Sequence, residues 1–237
     1  MNLISLQFKT TSSFQNNLDK LISLINKSEP NAFILAPELC LNGYAYDRLD
    51  EAFDISTEAI PILLALSVDK TISLTLTIKE EGEYFNTLYI FSYGEILHTQ
   101  SKVKLFSLGD EHKYFSSGDV DDIKIVKIDG IRVASLICFE LRFSELWEKL
   151  KGADIILVPA MWGKLRAEHY ISLTKSLAIM NQCYVIASDS SNEDMASGSG
   201  IISPFGEEVR DDSLELISAS FDLKQIKKMR RYLDTGI

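Results

Sequence analysis

The order of apolar and polar positions along the chain reads as alternating strands and helices. Residues 1–8 (MNLISLQF) have the pattern of a short strand, and Ser13 is placed to cap a helix whose Phe14, Leu18, Leu21, Ile22 and Ile25 share one face. Residues 32–36 (AFILA) form a wholly apolar strand that Pro37 closes, so Glu38 emerges at the C-terminal edge. The loop LNGYAYD follows, and its tyrosines, Tyr44 among them, are amphipathic rings suited to a pocket wall. A helix is expected over residues 56–68 with Pro61 near its first turn, then an alternating strand over residues 71–78 (TISLTLTI). Two runs flanking Gly94 within residues 86–103 read as an antiparallel pair with Lys102 and Lys104 at its end. Residues 107–119, polar and punctuated by glycine, make a loop that carries Glu111.

The second half is organised around residues 131–143 (IRVASLICFELRF), where an apolar run stops at Cys138 and charged residues begin. Asp129-Gly130 ahead of it predicts a two-residue hairpin turn, which puts Cys138 at a strand's end. Phe143, Leu146, Trp147 and Leu150 then fall at helical steps over residues 143–151. Residues 153–162 (ADIILVPAMW) are a buried strand broken at Pro159, with Met161 and Trp162 just beyond as candidate pocket walls. A helix over residues 165–181 carries Tyr170, Leu173, Leu177 and Met180 on one face, and CYVIASD returns as a strand. A strand pair about Pro204-Phe205-Gly206, a last strand in LELISASFD and an amphipathic surface helix over residues 223–233 complete the chain. With 237 residues, no repeat and no linker, one domain over residues 1–237 is expected.

Composition narrows the partners. A net charge of -10 argues against nucleic acid or an anionic membrane, because phosphate binding needs clustered cations, and favours a small molecule. Three cysteines without an export signal predict a reduced, cytoplasmic setting, and no apolar run nears the ~18 residues of a membrane span. The chain has no G-x-S-x-G elbow, no GK[ST] loop and no Cys-x-x-Cys pair, and His98, His112 and His169 lack metal spacing. Asp119, Asp121 and Asp122 do not follow a calcium loop. No metal or cofactor is expected. A lone cysteine is more often core packing than nucleophile, so the case for Cys138 rests on partners. Glu38, Lys102 and Cys138 each terminate an apolar run, and a buried carboxylate can serve such a thiol as base in place of His.

Four stretches carry a resemblance: APELCLNGY at 36–44, SKVKLFSLGDEHKYFSSGD at 101–119, ICFELRFSE at 137–145, and VPAMW followed by Glu168-His169-Tyr170, NQCYV and ISPFGE. In this order they resemble the nitrilase, or carbon–nitrogen hydrolase, superfamily. The resemblance implies an α/β fold, a four-layer α-β-β-α sandwich, and a homodimer paired through helices. It implies Glu38 as general base, Lys102 and the Phe139 N–H as oxyanion donors, Cys138 as nucleophile and Glu111 as orienter of Lys102. Tyr44, Phe139, Met161 and Trp162 fall on the substrate side. Lys104 stands where the family usually has His, Glu140 where Asp is common, Ser144 where Pro is usual, and Leu177 and Met180 where a helix carries Arg and Glu. The chain also ends at Ile237, before most of the family's C-terminal extension.

The expected reaction is hydrolysis of a non-peptide carbon–nitrogen bond through a thioester, releasing ammonia, with most likeness to the ω-amidase branch. An N-carbamoyl amide or nitrile substrate, or an idle partner-binding scaffold, remains open. A substrate carboxylate would call for Lys104, Arg142 or Arg166, with Arg142 expected to pair with Glu140 or Glu145 instead.

Overall fold

In the computed structural model, which describes residues 1–237, the period-two alternation resolves into two mixed six-stranded sheets. The first holds β1 (Asn2–Leu6), β2 (Phe33–Leu35), β3 (Thr71–Glu80), β4 (Glu83–Ser92) and β5 (Glu95–Ser101). The second holds β6 (Val126–Ile128), β7 (Ile131–Ser135), β8 (Ile155–Pro159), β9 (Tyr184–Ser188), β10 (Gly200–Ile202) and β11 (Glu208–Arg210). The last strand, β12 (Leu216–Ser220), returns to the first sheet and pairs antiparallel with β1. Helices α1 (Phe14–Asn26) and α2 (Leu49–Leu66) cover the first sheet, and α4 (Ala167–Asn181) packs on β9 and β10 of the second. The short α3 (Ser144–Glu148) and α5 (Leu223–Tyr232) complete this α-β-β-α sandwich.

Alternation within each strand decides which layer a side chain joins. Ile4, Leu6, Ile34, Ile72, Leu74 and Leu76 pack with α1 and α2, whereas Leu3, Phe33 and Leu35 join the core between the sheets. Hydroxyls stitch the sheets together: Ser5 Oγ donates to the Ala187 carbonyl and Ser188 Oγ to that of Leu6, both at 2.6 Å. The polar face of β3 is therefore buried rather than wet, and its Ser73, Thr75 and Thr77 are satisfied internally. The Asp129-Gly130 hairpin turn is as expected, with φ of 51° and 77° as a two-residue turn between right-twisted strands demands.

Local pattern misplaced three features. Helix α2 begins at Leu49, not at residue 56, so Pro61 lies inside it. Ser56 is no cap: its hydroxyl donates back to the Ala52 carbonyl at 2.7 Å and accepts from the Thr77 N–H, tying α2 to β3. Pro61 and Thr57 are both exposed, so the carbonyl that loses its helical partner is open to water. Met180 is 65% exposed, and Thr174 and Ala178 instead join Tyr170 and Leu177 on the buried stripe of α4. Cys138 lies three residues past the end of β7, in a tight 3-10 turn, and α3 covers only part of the helical run expected over residues 143–151.

One buried carboxylate fastens α5 to the second sheet. Asp154, just before β8, accepts from the Arg132 N–H and guanidinium at 2.8–3.1 Å and from Arg230 Nη1 at 3.3 Å. Burial opposes its charge, but the hydrogen bonds and charges of the two arginines outweigh it and hold the carboxyl below the ordinary aspartate value. Asp154→Ala leaves Arg230 buried without its partner, and should cost about 3 kcal/mol at pH 7, read from urea unfolding midpoints. A depressed carboxyl contributes stability above its unfolded pKa and loses it as pH falls through the folded value. The gap between wild type and variant should therefore narrow below about pH 4.

Candidate active site

Three chain segments from both sheets deliver the candidate residues to one place. Glu38 follows β2 and Pro37, and its N–H donates to the Ala160 carbonyl beyond β8 at 3.2 Å, so its backbone already bridges the sheets. The next residue, Leu39, has φ of 44° and donates to Thr75 Oγ1 at 2.7 Å, while Asn42 Nδ2 donates to Thr77 Oγ1 at 3.2 Å. The buried polar face of β3 thus holds the Glu38 loop. Lys102 leaves β5 with its N–H on the Asn86 carbonyl at 2.8 Å and its own carbonyl accepting from Gly118 at 2.9 Å. A side chain at Gly118 would meet the Ser101 carbonyl oxygen at 2.4 Å, so only glycine permits that approach. Cys138 has φ of 48°, a conformation of order 1–3 kcal/mol above ordinary for a non-glycine residue, and one concentrated at functional sites.

Lys102 is wholly buried between two buried carboxylates. Its Nζ lies 2.8 Å from Glu38 Oε1, 2.9 Å from both oxygens of Glu111 and 3.0 Å from the Tyr44 hydroxyl. Asn86 Nδ2 donates to Glu38 Oε1 at 2.8 Å, the Met161 N–H to Glu38 Oε2 at 3.0 Å, and the Phe106 N–H to Glu111 Oε2 at 2.7 Å. Burial alone would lower the lysine's pKa, but the neighbouring Glu38 carboxylate, with Glu111, overrides it and holds the ammonium above the ordinary lysine value. Burial pushes the Cys138 thiol well up and the Glu38 charge adds to this, while Lys102 and the Met161 N–H pull the other way without prevailing. The resting group is therefore a neutral thiol beside a carboxylate. The lysine does not by itself produce a thiolate.

Cys138 opens onto a narrow cleft walled by Phe106, Phe139, Met161 and Trp162. Phe139 packs on Phe106 with centroids 5.1 Å apart, and Trp162 is pinned by its N–H on Asp189 Oδ1 at 2.7 Å and its indole N–H on the Arg166 carbonyl at 2.8 Å. Phe139, Met161 and Trp162 thus stand where a substrate would lie. Tyr44 is not among the residues walling this cleft; its hydroxyl lies 3.0 Å from Lys102 Nζ and 3.3 Å from Glu111 Oε1. Arg142 and Arg166 complete the wall. The pairing of Arg142 with Glu140 or Glu145 does not occur: its guanidinium lies over the Trp162 ring at 4.7 Å, with Nη2 3.0 Å from His169 Nδ1. Glu145 instead reaches Lys104 at 3.5 Å, which draws that lysine over the Phe143 ring and away from the cleft. No group of three or more His, Cys, Asp and Glu side chains has the geometry to hold a metal.

Three residues of the site escaped sequence reasoning. Asn86 anchors Glu38 from within β4, and an asparagine in the middle of a strand, with no turn to serve, is the signal that marks it. Asp189 ends β9 wholly buried; burial raises its carboxyl well above the ordinary value, against the pull of the Trp162 N–H. Glu140 is also buried and accepts from two backbone N–H groups. Asp189 has no local sequence signature, whereas Glu140 lies in the 137–145 stretch where the resembled family commonly has Asp.

The chain has known relatives. The sequence matches the carbon-nitrogen hydrolase family over residues 4–231. The chain belongs to that family. It is 32% identical over 228 residues to the 2-oxoglutaramate amidase of Bacillus subtilis (strain 168), covering 90% of this chain and 87% of that one. It is 26% identical over 182 residues to the omega-amidase YafV of Escherichia coli (strain K12), covering 73% and 70%. Its fold superposes on Saccharomyces cerevisiae Nit3, a member of the nitrilase superfamily, with a TM-score of 0.87 at 22% identity, over 100% of this chain and 95% of that one.

As a carbon-nitrogen hydrolase with a single cleft-facing thiol, the protein should be alkylated by iodoacetamide at Cys138 first. Cys40 and Cys183 have no solvent exposure, whereas Cys138 lines the cleft. Peptide mass mapping should find adducts on those two only after denaturation. Early labelling of either in the native protein would contradict the geometry.

Proposed function

We propose that this protein is an amidase that releases ammonia from the monoamide of a small dicarboxylate, through a thioester on Cys138. The observation that carries the reaction is the neutral Cys138 thiol set beside a Glu38 carboxylate that Lys102, Asn86 and the Met161 N–H hold in place. Glu38 takes the thiol proton as sulfur attacks the amide carbon, and the oxyanion forms against the Lys102 ammonium and the Phe139 N–H. As the carbon–nitrogen bond breaks, the protonated Glu38 returns the proton to the departing nitrogen and ammonia leaves. Glu38 then takes a proton from water, whose oxygen attacks the thioester. Collapse expels the sulfur, which recovers the proton from Glu38 and frees the carboxylic acid. Glu111 keeps Lys102 charged and aimed.

The substrate class follows from the cleft. Arg142 and Arg166 bring two cations to an otherwise aromatic wall, and neither forms an ion pair with a carboxylate of this chain. A carboxylate at the far end of the substrate suits them, and the names of the Bacillus and Escherichia relatives are consistent with such a substrate. Phe106 lies under the Arg166 guanidinium, centroid at 5.3 Å, and holds that cation on the cleft wall.

Two experiments separate the parts of this reading. Cys138→Ala should abolish ammonia release from 2-oxoglutaramate and from succinamate while the unfolding midpoint stays near wild type. Glu38→Gln should slow both thioester formation and its hydrolysis, since an amide cannot take a proton. Lys102→Ala should lose activity by two or more orders of magnitude and also stability, because it strands Glu38 and Glu111 as unpaired buried acids. Ammonia release by Cys138→Ala at the wild-type rate would end the mechanism.

For the substrate, Arg166→Ala or Arg142→Ala should raise KM for succinamate about tenfold or more, the worth of one charged hydrogen bond, and leave KM for neutral propionamide nearly unchanged. Equal KM changes for both amides, or a nitrile or N-carbamoyl compound turned over faster than any monoamide, would defeat the substrate assignment.

A further inference from the structure

Glu140 is a buried acid that the proposed reaction does not use, and its two oxygens reach opposite sides of the site. Oε1 accepts from the Val103 N–H at 2.6 Å and Oε2 from the Ile137 N–H at 2.7 Å. Val103 directly follows Lys102, and Ile137 directly precedes Cys138. The Lys102 segment leaves the first sheet and the Cys138 turn leaves the second, so one carboxylate spans the two sheets at the point where their candidate catalytic residues meet.

We propose that Glu140 is a positioning residue whose carboxylate clamps the lysine segment to the nucleophile turn and so sets where the Lys102 ammonium stands relative to the Cys138 sulfur. The chemistry of the side chain fits the task. An ionised carboxyl offers acceptors on both oxygens and no donor, which is what two facing N–H groups require; glutamine offers one oxygen and presents an N–H against the other donor. No ion pair accounts for the acid. Arg142, two residues on, turns away to His169, and Lys104, whose N–H also faces Glu140, sends its ammonium to Glu145. Lys102 is the charge that favours the ionised form, with Glu38 and Glu111 paired to that lysine and Cys138 on Glu140's own turn.

Holding this charge is costly to the fold. Burial raises the Glu140 carboxyl to about 7, against the pull of the Ile137 and Val103 N–H groups and of Lys102. A carboxyl raised in this way contributes stability below its unfolded pKa and loses it as pH rises through the folded value, so the clamp is set where it stabilises the protein least. A group kept only for packing would not be retained in that form. As pH falls through about 7 the carboxyl gains a proton and one of the two hydrogen bonds is lost.

The inference rests on Cys138 and Lys102 acting together, as proposed above, but its test needs no amide turnover. The rate of Cys138 alkylation by iodoacetamide is measured from pH 5.5 to 9 by intact mass for wild type, Glu140→Gln and Glu140→Asp, with unfolding midpoints at each pH. Wild type should show an inflection near 7 that Glu140→Gln lacks. The Gln variant should react at least tenfold more slowly at pH 8, with a midpoint no lower than wild type and Cys40 and Cys183 still protected. Glu140→Asp, which keeps two acceptors on a shorter arm, should recover part of the rate and an inflection at lower pH. A Gln variant with the wild-type rate and profile would overturn the proposal. So would a slow Gln variant whose midpoint falls and whose buried cysteines become reactive, since the residue would then be structural only. An Asp variant no faster than Gln would overturn it as well. Failure of the amidase reading itself would appear separately, as absent ammonia release from a wild type that alkylates normally.

Discussion

A lysine ammonium with no solvent exposure, held within 2.9 Å of two buried carboxylates, is the interaction on which the rest of the site depends. Burying an ammonium or a carboxylate singly is costly, and here Lys102 and the two carboxylates offset one another's loss of water. Two acids and one base leave an excess negative charge, which Asn86 and the backbone N–H groups of Met161 and Phe106 stabilise further. The result is a base with fixed direction and a cation with fixed position, set before any substrate arrives. That preorganisation is what a site needs to stabilise an oxyanion without rearranging.

The sandwich supplies the precision. Glu38 and Lys102 come from the first sheet and Cys138 from the second, so their relative placement depends on how the sheets stack rather than on any one loop. The contacts between sheets cluster where this matters: the Glu38 N–H on Ala160, the Met161 N–H on the Glu38 carboxylate, and Glu140 between Val103 and Ile137. Even the hydroxyl face of β3 takes part, because Thr75 and Thr77 hold the loop that carries Glu38. Backbone strain at Leu39 and Cys138 shows the same priority, with two non-glycine residues in the left-handed region beside the reacting groups.

The electrostatics divide the labour between the buried cluster and the cleft. The thiol is neutral at rest because burial and the Glu38 charge outweigh Lys102, so in the proposed reaction the nucleophile forms only as a proton moves to Glu38. The cleft side carries the opposite sign: Arg142 and Arg166 lie over aromatic rings, kept from the acidic surface by stacking on Trp162 and Phe106. A chain with a net charge of -10 thus presents two arginines on the wall of its candidate cleft.

The layered α/β architecture and the positions of Glu38, Lys102 and Cys138 at or near strand ends were legible in the chain itself, because strand periodicity and strand ends are local properties, whereas Glu111, in a loop, was marked only by the family resemblance. Four ordered motifs did the same for family membership. What local pattern could not determine was anything set by contacts between distant segments. Ser56 looked like a helix start, yet its hydroxyl bonds within α2 and to β3. Arg142 had two acids nearby in sequence, yet the fold turned it to Trp162 and His169 and used Glu140 elsewhere. Tyr44 had the look of a pocket wall, and in the fold its hydroxyl meets Lys102 and Glu111. The physical reason is the same in each case: spacing along the chain encodes which face a side chain takes, whereas the partner it meets there, and the charge it carries once buried, exist only after the two sheets have closed on each other.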